Sequence, residues 1–403
     1  MLWPRAADAQ SGRAFTGLFG QGSNTRRPES LDFTMSANNG YDTGGEQLGS
    51  SDQQLRRDGG YSTLDSALRF TRTRAKRIFT LNGSESLRYE PQLGDMLSLS
   101  YDAGASLLTP LGHTRKLTLS GSGGYTPWYQ FQLFPSLPPE AGALPQAPSN
   151  DYLLTKQSAT SLASSVSMTQ DLGHLSGLQL AYDLRSIRFT DVNRDLLTKS
   201  ASVGFTRRAT RFTVFRIGAS MRDGRYGRSI TSVRTEEIDV GFDYVRRRTA
   251  ISAGTGMSFF PAGGETNTRM TGNATLRFEL ARKWTSSFQY NRSLQFVEAL
   301  TVPFLSDSLS AGLTGQVTRR LNLGMTAGYS TGQVGVLAEG GQYGTYTGSG
   351  QVMFALSRHY ALYSEYLYYH YSFSEQDLLG ALPPLLDRHT ARFGLRLWYP
   401  LAR

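Results

Sequence analysis

Residues 248–260 read RTAISAGTGMSFF. In an extended chain successive side chains point to opposite faces. Ile251, Ala253, Met257 and Phe259 then share one face, and Ser252, Gly254, Gly256 and Ser258 share the other. A helix would mix the two sets around its axis, so period-two alternation predicts a strand with one apolar and one polar face. Residues 283–296, KWTSSFQYNRSLQF, divide the same way. Trp284, Phe288, Tyr290, Leu294 and Phe296 oppose Thr285, Ser287, Gln289, Asn291 and Gln295. Arg292 breaks the pattern, which is tolerable where a strand nears a charged surface.

Moving outward from these two stretches, the pattern repeats along the chain. Alternating segments of roughly 10 to 14 residues come in pairs joined by very short, often basic turns. These turns are RAKR at 74–77, RRATR at 207–211, Arg246–Arg248, Ala281–Lys283, Thr318–Arg320 and Ser357–His359. TPLGH at 109–113 and DLGH at 171–174 use Gly or Pro instead. Longer connections separate the pairs. About eighteen such strands fit between Leu31 and Pro400, among them 176–189, 321–334 and a last one at 388–400, and an even count puts both termini on the short-turn side.

Strand length decides the class. Soluble sandwiches and propellers use strands of roughly 5 or 6 residues, whereas a tilted transmembrane strand needs about 9 to 11. An open sheet edge in lipid would leave backbone groups unpaired at several kcal/mol each, so such a sheet must close. The expected fold is all-β: a closed antiparallel transmembrane β-barrel with its apolar face outward, short periplasmic turns and longer external loops.

Composition agrees. The 403 residues include 43 Gly, 21 Tyr, 21 Phe and 4 Trp, with mean hydropathy −0.34. No apolar run of about 18 residues exists to form a transmembrane helix. The absence of Cys removes disulfides and thiol chemistry. The net charge of +10 points to an anionic partner, and the basic turns sit where hairpin ends would meet anionic head groups of outer-membrane lipid. There is no nucleic-acid module, and nucleic acid is not expected as a partner. At the start, Ala7-Asp8-Ala9 has the small-x-small form of an export cleavage site. Residues 1–9 therefore read as the remnant of an export signal, 10–30 as an N-terminal periplasmic segment and 31–403 as the barrel. Phe15, Leu18 and Phe19 make the 10–30 segment a candidate plug of the periplasmic mouth.

The chain closes on RFGLRLWYPLAR, residues 392–403. Arg392, Gly394, Leu397 and Tyr399 have polar-x-Gly-x-x-hydrophobic-x-aromatic spacing. This resembles the last-strand assembly signal of bacterial outer-membrane β-barrel proteins, with the departure that Pro400–Arg403 follow the aromatic. The resemblance implies the barrel-assembly machinery as a partner and the outer membrane of a Gram-negative-type bacterium as the location. The layout is also similar to that of porins. That implies a channel passing small polar or anionic solutes, a possible homotrimer, and a third external loop (127–156, with Pro127, Pro135, Pro138, Pro139, Pro145 and Pro148) folded into the lumen. An eighteen-strand barrel with a basic lumen is similar to exporters of acidic exopolysaccharide too, and a plugged structural barrel is a third alternative.

The polar faces give the candidate site. On the last strand Arg388, Arg392 and Arg396 recur about every 13 Å. Arg69, Arg88, Arg216, Arg222, Arg269 and Arg277 join them, among the acids Asp65, Asp102, Asp183, Glu237, Asp239, Asp243, Glu279 and Glu365. These charges either pair across strands and keep the interior wet, or form an anion-attracting track. Tyr363, Tyr369 and Tyr371 fall inward as candidates for stacking on sugar rings, while Tyr360, Tyr366 and Tyr368 point to lipid. Glu85 falls with Phe79, Leu81 and Leu87 on an apolar face, which a bulge or a shifted register would resolve. The five histidines show no metal-ligand spacing, and neither metal nor cofactor is expected. A lipid-facing hydrolase would need Ser and His together on the outer wall. His370 and Ser372 share a strand, but two residues do not make a site, and no enzyme activity is expected.

Overall fold

The computed structural model describes residues 28–43, 59–91, 96–127, 129–130, 154–155, 158–190, 195–227, 232–262, 265–281, 283–296, 303–334, 342–374 and 385–402. The segments 1–9 and 10–27 and most of the 127–156 loop, with their expected roles, lie outside the described residues.

Eighteen strands form one closed sheet, each antiparallel to its neighbours in chain order. They are β1 (Glu29–Thr43), β2 (Gly59–Arg74), β3 (Arg77–Glu90), β4 (Met96–Leu111), β5 (Arg115–Thr126), β6 (Ala159–Asp171), β7 (Ser176–Phe189), β8 (Leu196–Arg208) and β9 (Thr213–Tyr226). The second half comprises β10 (Ser232–Arg246), β11 (Thr249–Ala262), β12 (Glu265–Ala281), β13 (Trp284–Gln295), β14 (Phe304–Gln316), β15 (Leu321–Val334), β16 (Gln342–Ala355), β17 (Tyr360–Phe373) and β18 (Leu385–Ala402). A separate two-residue pairing joins Tyr129–Gln130 to Leu154–Thr155. The first strand begins at Glu29, two residues into the segment assigned to the periplasm from sequence. The last runs three residues beyond its alternating pattern at its start, because a hairpin ladder continues past the depth at which the two faces meet different solvents.

Alternation holds around the wall. Leu97, Tyr101, Leu162, Ile217, Val240, Met257, Met270, Leu309, Met325, Phe393 and Leu395 all project outward and are exposed. An apolar band on the outside of a closed barrel is stable only in lipid, and closed barrels of this build belong to outer membranes.

Closure is made by β1 against β18. Gly394 pairs with Asn38, and a Cβ there would overlap the Asn38 side chain and the Ala37 carbonyl. Only glycine lets the seam strands meet. Pro400, which has no N–H to donate, sits where the seam register shifts between Leu31 and Asp32, the kind of irregular position in which a strand tolerates proline.

Two sequence expectations are corrected. The β2–β3 ladder runs without a register shift from Ser62↔Tyr89 to Arg74↔Arg77, so no bulge rescues Glu85. Its carboxylate stays on the outer face and accepts a hydrogen bond from Ser66 Oγ at 2.9 Å. Phe296, assigned outward, follows the end of β13 and packs against lumen-side Gly224 and Tyr226 of β9, its ring 6.2 Å from that of Tyr226. The strand's alternation no longer governs a residue beyond its last ladder pair.

Candidate functional site in the lumen

The polar face of each strand turns inward, and the seam gathers most of the charge. Alternation on β18 places Arg388, Thr390, Arg392, Gly394, Arg396 and Trp398 toward the lumen. Arg388 makes a two-pronged contact with Asp42 of β1: Nε donates to Oδ1 at 2.7 Å and Nη2 donates to Oδ2. Thr390 Oγ1 donates to the same carboxylate at 3.1 Å. Arg392 Nε and Nη2 reach Glu365 Oε2 of β17 at 2.7 and 2.6 Å. The Arg396 guanidinium lies 5.3 Å above the Tyr363 ring, a geometry in which the ring face attracts the cation.

One strand further on, Asp65 of β2 accepts from Ser86 Oγ at 2.5 Å and from Asn38 Nδ2 at 2.8 Å, with Ser36 and Thr63 at 3.4 Å. Arg88 of β3 pairs with Glu90 at 2.5 Å and lies 4.1 Å over the Tyr61 ring. Tyr61 in turn covers Gly40, where any Cβ would overlap its ring. The basic ladder read from sequence is therefore not a bare track, since two of its three rungs carry an acid from a neighbouring strand.

This arc is also the most buried part of the inner wall. Arg388 and Asp42 side chains are 3% and 4% exposed. Met353, Ala361, Tyr363 and Trp398 form a buried cluster near the short-turn end. Tyr369 and Tyr371 face inward as read from sequence but have no exposed area. A ring so covered has no face to offer a solute. Instead they belong to an aromatic chain beneath the long-loop end, running Tyr369, Tyr371, Phe373, Tyr343 and Phe304 at centroid separations of 5.3 to 5.9 Å.

The inner wall opens on β2 and β3, at positions nearer their short turn than Asp65 and Arg88, and this open arc continues round to β9. Arg69, Asn82, Ser84, Asp102, Asp183, Arg185 and Arg222 point inward and are exposed. Beside them Arg216 meets Asp243 at 3.2 Å and donates to Ser252 Oγ at 3.0 Å. Asp239 lies over Gly218, where a side chain would collide with it. Thr271 Oγ1 donates to Glu237 at 2.7 Å, and Arg269 and Arg277 project inward from the same strand, half-buried.

Of the expected pore-lining residues, the fold joins Arg392 to Glu365 and Arg396 to Tyr363. It sets Arg69, Arg216, Arg222, Asp239, Arg269 and Arg277 on other strands. Asp42 was missed, although alternation places it on one face with Ser36 and Asn38. Of the closing-strand residues, Gly394 lies at the seam, Tyr399 is exposed on the outer wall, and Leu397 pairs with Met35.

No family model matches the chain, and neither does any curated protein. Several solved structures are similar to it. The FrpB iron transporter from Neisseria meningitidis (F3-3 variant) aligns over 91% of this chain and 82% of its own, at 8% identity and a TM-score of 0.48. OccK2 (OpdF) of Pseudomonas aeruginosa, solved in complex with glucuronate, aligns over 93% and 98%, at 9% identity and a TM-score of 0.48. OccAB4 of Acinetobacter baumannii aligns over 94% and 100%, at 10% identity and a TM-score of 0.46. The chain itself is a closed eighteen-strand barrel of the outer-membrane type, with an ion-paired arc and an open polar arc facing its lumen.

Proposed function

We propose that the protein is a porin-like channel of the outer membrane that passes small polar or anionic solutes. The supporting observation is the open arc, where charged and polar side chains of β2, β3, β4, β7 and β9 face the lumen and remain exposed. Such a surface favours water and dissolved ions. Single-channel conductance of the refolded protein in a planar bilayer, with a salt gradient to read selectivity, tests this. Steady anion-selective current is expected. Silence from a correctly folded barrel would instead support the reading of a plugged structural barrel, which the burial of the inner faces of β16, β17 and β18 favours.

Gly394, Leu397 and Tyr399 are read as the assembly signal, with the barrel-assembly machinery as partner. Tyr399→Ala should reduce insertion in cells while leaving detergent refolding intact. A homotrimer is the expectation carried by the porin likeness, and sedimentation in detergent checks it.

A further inference from the structure

We propose that the outer wall carries a second site, a Ser372–His370–Asp387 constellation that hydrolyses fatty-acyl esters of lipids in the outer leaflet. His370 and Ser372 are outward-facing neighbours on β17, two residues and about 6.6 Å apart along the strand. The group that sequence alone did not supply comes from β18. Asp387 pairs with His370 in the ladder, and the His370 Nδ1–H donates to Asp387 Oδ1 at 2.7 Å. The Tyr368 hydroxyl donates to the same carboxylate oxygen at 3.2 Å and helps fix it. With Nδ1 protonated and held, Nε2 is left as the basic nitrogen. Tyr346 of β16 flanks the imidazole, its ring centroid 5.9 Å away. Ser372 is exposed and lies across from Gly344, whose missing side chain leaves the hydroxyl accessible.

Position and surroundings favour a lipid ester. Ser372 is the second-last residue of β17 at its long-loop end, just beyond the outward aromatics Tyr329, Tyr346, Tyr366 and Tyr368. An aromatic girdle marks the interface between head groups and acyl chains, the level at which ester carbonyls lie. Below Gly344, Gly348 and Gly350 also face outward on β16, and a Cβ at either would meet nothing within 4 Å. Together these glycines, interrupted by Tyr346, open a strip about 20 Å long leading from Ser372 toward the membrane interior. We assign it to the acyl chain.

In the first half-reaction the Ser372 oxygen bonds to the ester carbonyl carbon and its proton passes to His370 Nε2. The carbonyl–oxygen ester bond then breaks, the departing lipid alkoxide takes that proton, and an acyl-Ser372 remains. Water repeats the attack: one proton goes to His370, the hydroxyl joins the acyl carbon, the fatty acid leaves, and Ser372 recovers the proton. Ser372 and His370 are the catalytic residues. Asp387 positions His370.

The test uses the full chain refolded into vesicles. One arm contains phosphatidylethanolamine and phosphatidylglycerol, the other lipopolysaccharide, and released fatty acid is measured by mass spectrometry alongside labelling by a fluorophosphonate. Release in either arm supports the site, and the arm that responds identifies the lipid. Ser372→Ala and His370→Ala should return release to background with conductance unchanged, and the label should map to the peptide containing Ser372. Asp387→Asn should lower kcat by roughly 10²–10⁴-fold with KM preserved, and Asp387→Glu should recover part of it. The proposal is overturned if the folded barrel, conducting or silent, releases no fatty acid in either arm, if release survives Ser372→Ala, or if Asp387→Asn leaves kcat unchanged.

Discussion

At Arg388 a cation with 3% of its side chain exposed is paired with the Asp42 carboxylate, itself 4% exposed. Removing one member of a buried ion pair strands the other charge and costs about 3–5 kcal/mol. Asp42→Ala should therefore lower the urea midpoint of the refolded barrel strongly, whereas Ser62→Ala, which removes an exposed bond to Asn39, should change it little. Gly394 acts through shape. Gly394→Val would drive a side chain into Asn38 and Ala37 at the seam, so the variant should stay heat-unfolded on a gel under conditions in which the parent folds. This gives the glycine of the closing motif a local physical reason, independent of any receptor that reads it. Asp42 was hard to see in the sequence because its partner lies 346 residues away. Only closure brings the two together, and closure is inferred from lipid solvation of the whole sheet rather than from any local pattern.

The hairpin is the element that the sequence expressed best. Every strand read from alternation exists, and β7 and β15 begin and end where the pattern does, at 176–189 and 321–334. Lipid outside and water inside impose period two on each residue, so the signal is strong wherever the wall separates the two. It weakens at strand ends, which is why Phe296 was placed on the wrong side and why Asp387, outside the stretch read as the last strand, was not joined to His370. The turns carry a measurable cost. Ala75 and Arg247, the first turn residues after β2 and β10, have φ of 55° and 41°, where a side chain costs roughly 1–2 kcal/mol relative to a right-handed backbone. Ala75→Gly and Arg247→Gly should each raise the urea midpoint, to an extent reduced by the glycine's greater freedom when unfolded.

Across the whole molecule, the division of the lumen into two arcs determines which arginines can act on a passing ion. Charges that are buried and paired contribute little field beyond their partners, while exposed charges on a narrow wall act on the permeating solute directly. Arg388 and Arg392 belong to the first group, Arg69 and Arg222 to the second. The sequence placed all four on one inward face and gave no means of ranking them, because pairing depends on which strand adjoins which. The ranking is testable in the bilayer. Arg69→Glu with Arg222→Glu changes the lumen by four charge units and should move the reversal potential toward cation selectivity with little loss of stability. Arg392→Ala should leave Glu365 buried without its cation, lowering the unfolding midpoint while moving the reversal potential less. If instead Arg392→Ala produces the larger shift in a stable barrel, ions pass along the seam and the exposed arc is not the conducting surface.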